Sequence, residues 1–309
     1  MPPKKSDAGK VADSTGAIDI SKVNKEHDEL SGLAAGLDAL ETSTGPKSSL
    51  TRRLLKAFAP LLAVLMVLVV WQLVAQTGWL ERWVLPWPED VFNALVGQWN
   101  AGLLLPAAFN SLRKGVQGFL ISILIATPIG IALGLNQTLR LIFRPILTGL
   151  QQLPSVAWVP AAIIWFGLSD ATIFAVVLLG AVPSIANGLI SGIDQIPTLY
   201  LRAGKVLGAR GLSSVRHIVI PGAWPGYLAG LEQGWAFSWR SLMAAELIAH
   251  NPAMGPGLGQ MLDNARSLGD LALVLGSILV ILLVGVLVER LAFSPMRNRT
   301  LRNRGLLAR

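Results

Sequence analysis

The sequence predicts an all-α membrane protein with six transmembrane helices. Of its 309 residues, 52% are hydrophobic and only 14% are charged, whereas soluble domains carry about 25% charged residues. The mean hydropathy is +0.55. A helix needs roughly 18 apolar residues or more to cross the hydrocarbon core. Five charge-free runs meet that length, and a sixth run is long enough but is interrupted by charges. The runs span residues 57–74, 115–139, 145–169, 171–193 and 271–288, with the interrupted one at 222–249.

The flanking residues predict the domain organisation. We expect residues 1–50 to form an N-terminal tail, mostly disordered because its Lys, Asp, Ser and Gly residues leave little to bury. Within it, leucines recur at helical spacing and predict an amphipathic helix at about residues 22–42. A transmembrane domain follows at 51–295, then a basic C-terminal tail at 296–309. The first apolar run is too long for the core of a cleavable signal sequence, so we expect an uncleaved anchor.

Composition and motifs disfavour an enzyme. The chain has no cysteine, which excludes a disulfide framework and a cysteine-based metal site. His27 and His250 are too isolated in the sequence to predict a metal site, and His217, beside Arg216 near the end of a basic segment, is expected on a solvated face rather than as a ligand. A nucleotide-hydrolysing domain needs a glycine-rich loop that ends in Gly-Lys-Ser or Gly-Lys-Thr, and no such string occurs. We therefore expect a non-catalytic chain with no cofactor of its own.

Charge asymmetry predicts the orientation. Placing the N-terminus inside the cell leaves sixteen Lys and Arg residues on cytoplasmic flanks and four on the other side, as the positive-inside rule requires. Both termini and the segment 194–222 are then cytoplasmic. The net charge of +8 follows from this topology and from anionic lipid headgroups. We expect a lipid bilayer around the chain and no nucleic-acid partner.

The segment 194–222 is a basic hairpin between two apolar runs, and its spacing is specific. An alanine follows Arg202, a glycine comes six residues after Arg202, and the hairpin ends in Ile-x-Ile-Pro. This frame resembles the EAA loop of ABC importer permeases, known in that family as the coupling helix that docks on the ATPase. Two positions differ from the family pattern, with Arg202 in place of glutamate and Gly204 in place of the second alanine. The resemblance implies ATPase coupling by Arg202, Ala203, Gly204, Gly208, Ile218, Ile220 and Pro221.

Three further blocks, at 111–119, 151–170 and 238–248, resemble the permeases of nitrate, taurine and aliphatic sulfonate importers. The resemblance implies a type I ABC importer permease fold in the bacterial inner membrane. It also implies a permease homodimer, two ATPase subunits that bind ATP and Mg, and an extracytoplasmic substrate-binding protein. The chain would be the membrane-spanning subunit that moves a small anion by alternating access.

The fifth run is where we expect contact with the cargo, because Glu232, Arg240 and Glu246 lie within it. Intramembrane charges usually face a cavity or a partner. The guanidinium of Arg240 offers a fixed fork of donors to an oxyanion. The alternative is an ion pair that holds the bundle together. Arg240 and Glu246 are six residues apart, off the spacing that brings helical side chains face to face.

The third run supplies secondary candidates for the transport path. Gln151, Gln152, Ser155 and Trp158 surround Pro154, and the prolines of this run predict a kinked helix. These polar groups either line the path or bond to carbonyls that proline leaves free.

Two other functions stay open at this level. An ATP-independent secondary transporter would predict broken helices related by an internal repeat, and no repeat is evident between the two halves of the sequence. Alternatively, a permease of the same ABC class would carry a heteroaromatic vitamin precursor. Arg240 favours an anion over that cargo.

Overall fold

The computed structural model describes residues 50–249 and 251–304. All regular secondary structure in the described residues is helical, and these residues contain no strand. The chain divides into two compact units, Met1–Val67 and Leu68–Arg309. Nearly all of the predicted N-terminal tail, including the amphipathic helix at 22–42, lies outside the described residues. The described part of the first unit is the start of helix α1.

The helices follow one another through short connections, several of them 3₁₀ or π turns. Those in the first half of the chain are α1 (Leu50–Gln76), α2 (Pro88–Asn100), α3 (Leu104–Leu135), α4 (Gln137–Gln152), α5 (Val159–Phe166) and α6 (Asp170–Asp194). Those in the second half are α7 (Thr198–Val206), α8 (Ile220–Ile248), α9 (Leu258–Ser267), α10 (Leu271–Val288) and α11 (Ser294–Asn303). A helical turn at Leu212–Ser214 and a π turn at Val215–Val219 lead into α8, and a second π turn, Glu289–Phe293, joins α10 to α11.

Three described helical stretches are long and apolar enough to cross a membrane by length and composition: α3, α6, and the continuous stretch Leu271–Asn303. Residues 62–76 of α1 and the stretch Ser155–Phe166 are shorter apolar helices. Helix α8 has the length but carries the charges noted above. The all-α membrane fold expected from the sequence is confirmed.

The third run is broken into two helices, whereas the sequence predicted one kinked helix. Leu153 precedes Pro154 and is extended, with φ −78° and ψ 129°, because proline disfavours helical geometry in the residue before it. A 3₁₀ turn, Ser155–Trp158, then leads into α5. Pro160 lies in the first turn of α5, where the missing amide proton costs no hydrogen bond.

Helix α6 forms the centre of the second unit and packs between α3 and α8. Its side chains Ile173, Ile185 and Ile190 are fully buried. It crosses α8 at glycines: a Cβ built at Gly188 would overlap the backbone of Gly230, and one built at Gly226 would overlap that of Gly192. Small residues at a crossing let two membrane helices approach to backbone contact. This crossing fixes α8, the helix that carries Arg240.

Ion pairs join the helices at both ends of the bundle. At the end that carries α7, here called the hairpin end, Arg140 pairs with Asp194. At the other end, here called the distal end, Lys114 Nζ lies 2.9 Å from Asp170 Oδ1. Helices α3 and α6 therefore start at the distal end. Helix α8 finishes there, because Glu246 near its end bonds to Ser111 of α3.

The described part of the basic C-terminal tail is helix α11, which packs along the hairpin-end half of α8. Arg297 Nη1 lies 3.0 Å from Glu232 Oε1. The Trp224 indole N–H donates to Thr300 Oγ1 over 3.0 Å. Arg304 donates to the carbonyl of Pro221 over 2.8 Å. The last helix thus contacts α8 where the hairpin joins it.

Candidate functional site

A cavity of about 240 Å³ lies beside the break between α4 and α5 and is here called the Arg240 cavity. Five of the residues that the sequence suggested for the transport path line it together: Gln151, Gln152, Ser155, Trp158 and Arg240. The other lining residues are Leu150, Leu153, Pro154, Val156, Leu179, Gly180 and Phe237. The interruption of the helix at Pro154 brings Ser155 and Trp158 to the same cavity as Arg240 of α8.

Arg240 is exposed and has no acidic partner among the described residues. Its Nε donates to the carbonyl of Ala236 over 3.0 Å, and its guanidinium carbon lies 4.6 Å from the centre of the Phe237 ring. Of the two glutamates on the same helix, Glu232 pairs with Arg297, and the other contributes to a buried cluster described below. A guanidinium that no carboxylate compensates is free to bind an oxyanion through charge-assisted hydrogen bonds.

Gln151 both lines the cavity and ties α4 to α6. Its Nε2 donates to Ser184 Oγ over 3.0 Å, and its Oε1 accepts from Asn187 Nδ2 over 2.7 Å. The sequence left open whether polar groups near Pro154 bond to freed carbonyls. Gln151 instead bonds to side chains of the neighbouring helix. Of the remaining polar candidates, Gln152 is exposed, and Ser155 and Trp158 are half-buried.

Glu246 does not line the Arg240 cavity. It is only 4% exposed, near the distal end of α8, and its Oε2 accepts from Ser111 Oγ over 2.7 Å and from the amide of Gly259 over 3.1 Å. Lys114, 2% exposed, lies in the same region. Sequence reasoning missed Ser111 and Lys114. The charge-free run starts just after Lys114, at residue 115, whereas α3 begins ten residues before Lys114, at Leu104.

The hairpin residues divide into an exposed set and a packed set. Arg202, Ala203, Gly208 and Pro221 are exposed, Ile218 and Ile220 are half-buried, and Gly204 is buried. A Cβ at Gly204 would overlap the Cδ1 of Ile218. The glycine that departs from the family pattern therefore makes room for the isoleucine of the closing Ile-x-Ile-Pro.

The tip of the hairpin is apolar and open. Val206, Leu207 and Leu212 are each more than 80% exposed, and Gly208 and Gly211 adopt positive φ values of 83° and 52°. Positive φ is easy only for glycine, so these two residues make the turn that presents the three side chains. We call Val206, Leu207 and Leu212 the hairpin tip.

The described residues contain no group of three or more His, Asp or Glu side chains placed to hold a metal ion. The His217 ring is exposed, and its Nδ1 lies 3.0 Å from the carbonyl of Ser213. His27 and His250 lie outside the described residues.

Comparison with known proteins now defines the class. Residues 118–293 match the family model described as the binding-protein-dependent transport system inner membrane component. A putative ABC transporter permease of Methanocaldococcus jannaschii is 32% identical over 76% of this chain and 87% of its own length. The taurine transport system permease of Escherichia coli is 32% identical over 74% of this chain and 82% of its own. The bicarbonate transport system permease of Synechococcus elongatus is 27% identical over 75% and 85%.

The chain belongs to the family of binding-protein-dependent transport system inner membrane components. Its fold is the type I ABC permease fold that the sequence resemblance implied. The matched stretch begins in α3 and includes the hairpin, the α4–α5 break and all of α8. The Arg240 cavity and the hairpin tip therefore both lie within the part of the chain that defines the family.

Proposed function

We propose that this chain is the membrane-spanning subunit of an ATP-driven importer of a small oxyanion, and that the anion passes Arg240 on its way across. Two copies of the chain would enclose the path. Two separate ATPase subunits, which bind ATP and Mg, would drive alternating access from the hairpin side. An extracytoplasmic binding protein would deliver the cargo to the other side. The hairpin end and both termini would then be cytoplasmic, as the charge asymmetry predicts.

The single observation that carries the cargo class is the Arg240 cavity. It combines an exposed guanidinium with no described acidic partner and the polar side chains of Gln152 and Ser155. A planar fork of donors matches carboxylate, carbonate and sulfonate oxygens better than a neutral cargo. Relatives named for taurine, aliphatic sulfonates and bicarbonate support an anion of this kind.

Coupling to an ATPase is supported by the hairpin tip. Val206, Leu207 and Leu212 form an apolar patch next to the exposed Arg202, in the hairpin between α6 and α8. An apolar centre with a charged rim is the usual composition of a protein interface. We assign this patch and Arg202 to the ATPase contact.

The test of the cargo site is ATP-driven uptake into proteoliposomes that contain the chain with its ATPase and binding protein. Taurine, an aliphatic sulfonate, bicarbonate and nitrate serve as labelled cargoes. We expect Arg240→Gln to lower the maximal uptake rate about tenfold or more, because it removes a charge-assisted hydrogen bond at the anion. Arg240→Lys keeps the charge without the fork and should lie between that variant and the parent.

The matched control is Arg299→Gln, which removes an exposed arginine of α11 that does not line the cavity. It should leave the maximal rate unchanged. Unchanged uptake by Arg240→Gln would refute the assigned contact. If the proteoliposomes import a neutral heteroaromatic compound and none of the four anions, the cargo is of the alternative class and the anion proposal is wrong.

A further inference from the structure

A buried cluster at the distal end joins three helices. Lys114 of α3 is 2% exposed, Glu246 of α8 is 4% exposed and Ser111 of α3 is fully buried. Lys114 Nζ lies 2.9 Å from Asp170 Oδ1 at the start of α6. Ser111 Oγ donates to Glu246 Oε2 over 2.7 Å. Lys114 and Glu246 are therefore buried at this site, beside the half-exposed carboxylate of Asp170 and away from the Arg240 cavity.

The same cluster holds the segment 251–257, which connects α8 to α9. Lys114 Nζ donates to the carbonyl of Met254 over 2.9 Å. Asn110 Nδ2 donates to the carbonyl of Pro256 over 2.8 Å and to that of Met254 over 3.2 Å. At the end of the segment, the amide of Leu258 donates to Ser111 Oγ over 2.9 Å.

Two glycines allow this close fit. A Cβ built at Gly257 would lie 2.7 Å from Glu246 Oε2, and one built at Gly259 would lie 2.6 Å from Glu246 Cβ. Real side chains do not approach so closely. The chain therefore passes directly over the Glu246 carboxylate, and the amide of Gly259 donates to it over 3.1 Å.

A buried charge is tolerated only with a partner, and removing one partner of such a pair is strongly destabilising. Lys114 is the one cation found in this cluster among the described residues. It pairs with Asp170 and lines the same small cavity as Glu246. Its ammonium also binds the segment itself. Neutralising Lys114 would leave two carboxylates close together and the Met254 carbonyl without its donor.

We propose that Lys114 and Glu246 are positioning residues that latch the segment 251–257 onto α3, α6 and α8, so that the segment and the distal ends of these helices move as one body. In an importer this end must open and close for each cargo molecule. The latch would then tie the movement of the segment to that of α8, which carries Arg240. This coupling of the segment to α8 during transport rests on the proposed function, whereas the latch itself does not.

The latch is tested by the mobility of a spin label. The chain has no cysteine, so Ala253→Cys on the exposed face of the segment gives a single labelling site. In the purified full-length chain, we expect Lys114→Met to convert an immobilised spectrum to a mobile one, with Arg299→Gln, an exposed arginine of α11, as the control that leaves it immobilised. An immobilised label in Lys114→Met would overturn the latch.

If Lys114→Met fails to accumulate in the membrane, two milder variants decide the question. Asn110→Ala removes two hydrogen bonds to the segment without burying a charge, and it should also mobilise the label. Lys114→Met combined with Glu246→Gln removes one of the uncompensated carboxylates, and it should accumulate better than Lys114→Met alone. An immobilised label in Asn110→Ala together with equal accumulation of single and double variants would overturn the latch.

This coupling is tested in the reconstituted complex by the number of cargo molecules imported per ATP hydrolysed. We expect Lys114→Met or Asn110→Ala to lower that ratio about fivefold, a usual size for coupling between distant sites, while the ATPase still co-purifies. A mobile label with an unchanged ratio would overturn the coupling and leave the latch as a structural device. If the parent complex imports none of the tested anions, the proposed function fails, and the label still decides the latch.

Discussion

Lys114 and Arg240 are both cations on helices of the bundle, and their surroundings give them different roles. Lys114 is buried against Asp170 and a backbone carbonyl, so its charge is neutralised within the chain. Arg240 is exposed, and the contacts it makes with the described residues are to an aromatic ring and a carbonyl of its own helix. A permanent charge left unpaired at a cavity is costly to keep unless something binds there. The contrast supports a ligand role for Arg240 and a structural one for Lys114.

Gly204 stands where the family pattern has alanine, and its contact with Ile218 can be tested by substitutions at both positions. A methyl at position 204 would overlap Ile218 Cδ1. Because this atom is the end of a flexible side chain that can turn aside, we expect a cost of about 1 kcal/mol, the low end of the range for overpacking. We expect Gly204→Ala to weaken co-purification of the ATPase and to lower the thermal stability of the purified chain.

The compensating change is Ile218→Val, which removes the atom that the methyl would meet. The double variant Gly204→Ala/Ile218→Val should recover most of the loss. If the double variant behaves as the sum of the two single changes, the contact between positions 204 and 218 does not shape the hairpin.

At the scale of elements, the crossing of α6 and α8 depends on glycine. A methyl at Gly188 would overlap the backbone of Gly230, which cannot move aside as a flexible side chain can. We expect Gly188→Ala to lower the free energy of unfolding by about 1–3 kcal/mol, measured as a drop in melting temperature in detergent.

The matched control is Gly97→Ala in α2, where no atom lies within 4 Å of the added methyl. Alanine there should be neutral or stabilise the helix by up to about 1 kcal/mol, because glycine is the poorer helix former. Equal melting temperatures for the two variants would mean that the crossing tolerates wider spacing than the structure shows.

The start of α2, which lies outside the membrane-spanning helices, carries a pH-dependent contact. Asp90 Oδ1 lies 2.6 Å from Arg82 Nη2, and Asp90 also accepts from the amide of Trp87 over 2.9 Å. The hydrogen bond from Arg82 lowers the pKa of Asp90 below its usual value. A carboxylate with a lowered folded-state pKa stabilises the fold above its unfolded pKa, about 3.9, and loses that contribution as the pH falls through the folded value.

We therefore expect protection of the Trp87, Asp90 and Val91 amides from hydrogen exchange to be constant between about pH 5 and 8, and to fall below about pH 4. Rates are corrected for intrinsic exchange. In Asp90→Asn, protection of these amides should be lower than in the parent and should not change as the pH falls. Acid-dependent protection in Asp90→Asn would assign the titration to another group.

The elements also show how far sequence reasoning reaches. Apolar runs of spanning length located α3, α6 and α10, and the hairpin spacing located the segment between α6 and α8. The polar residues around Pro154 were selected because proline breaks the regular helix there. Their grouping with Arg240 follows from the packing of the α4–α5 break against α8, which a linear sequence does not contain.

The periodicity of the sequence could not identify Lys114 and Ser111 as buried cluster residues, and the reason is physical. A lysine next to an apolar run is usually a flank that reaches toward water, and only the position of Asp170, Glu246 and the segment 251–257 shows that this one is buried. Hydropathy likewise could not show that the basic C-terminus continues as helix α11 and contacts α8 through Arg297 and Thr300. Both features depend on contacts between residues far apart in the chain.

For the whole molecule, α8 is the helix that connects the hairpin, helix α11, the Arg240 cavity and the buried cluster at the distal end. It starts where the hairpin ends and carries the α11 contacts in its first half. Arg240 follows past its midpoint, and Glu246 lies near its distal end. A displacement of the hairpin therefore acts on the same helix that lines the Arg240 cavity and joins the latch. This continuity is the physical route by which ATPase movement would reach the transport path.

The most direct test of this account is co-purification from native membranes in mild detergent, followed by ATP-driven uptake in proteoliposomes. We expect an ATPase to co-purify with the parent chain and Gly208→Asp to release it, because an aspartate at the positive φ of 83° distorts the turn next to the hairpin tip. Gly78→Asp, also at positive φ with no atom within 4 Å but outside the hairpin, should retain the ATPase and the uptake. A chain that purifies alone and supports uptake driven by an ion gradient without ATP would contradict the account.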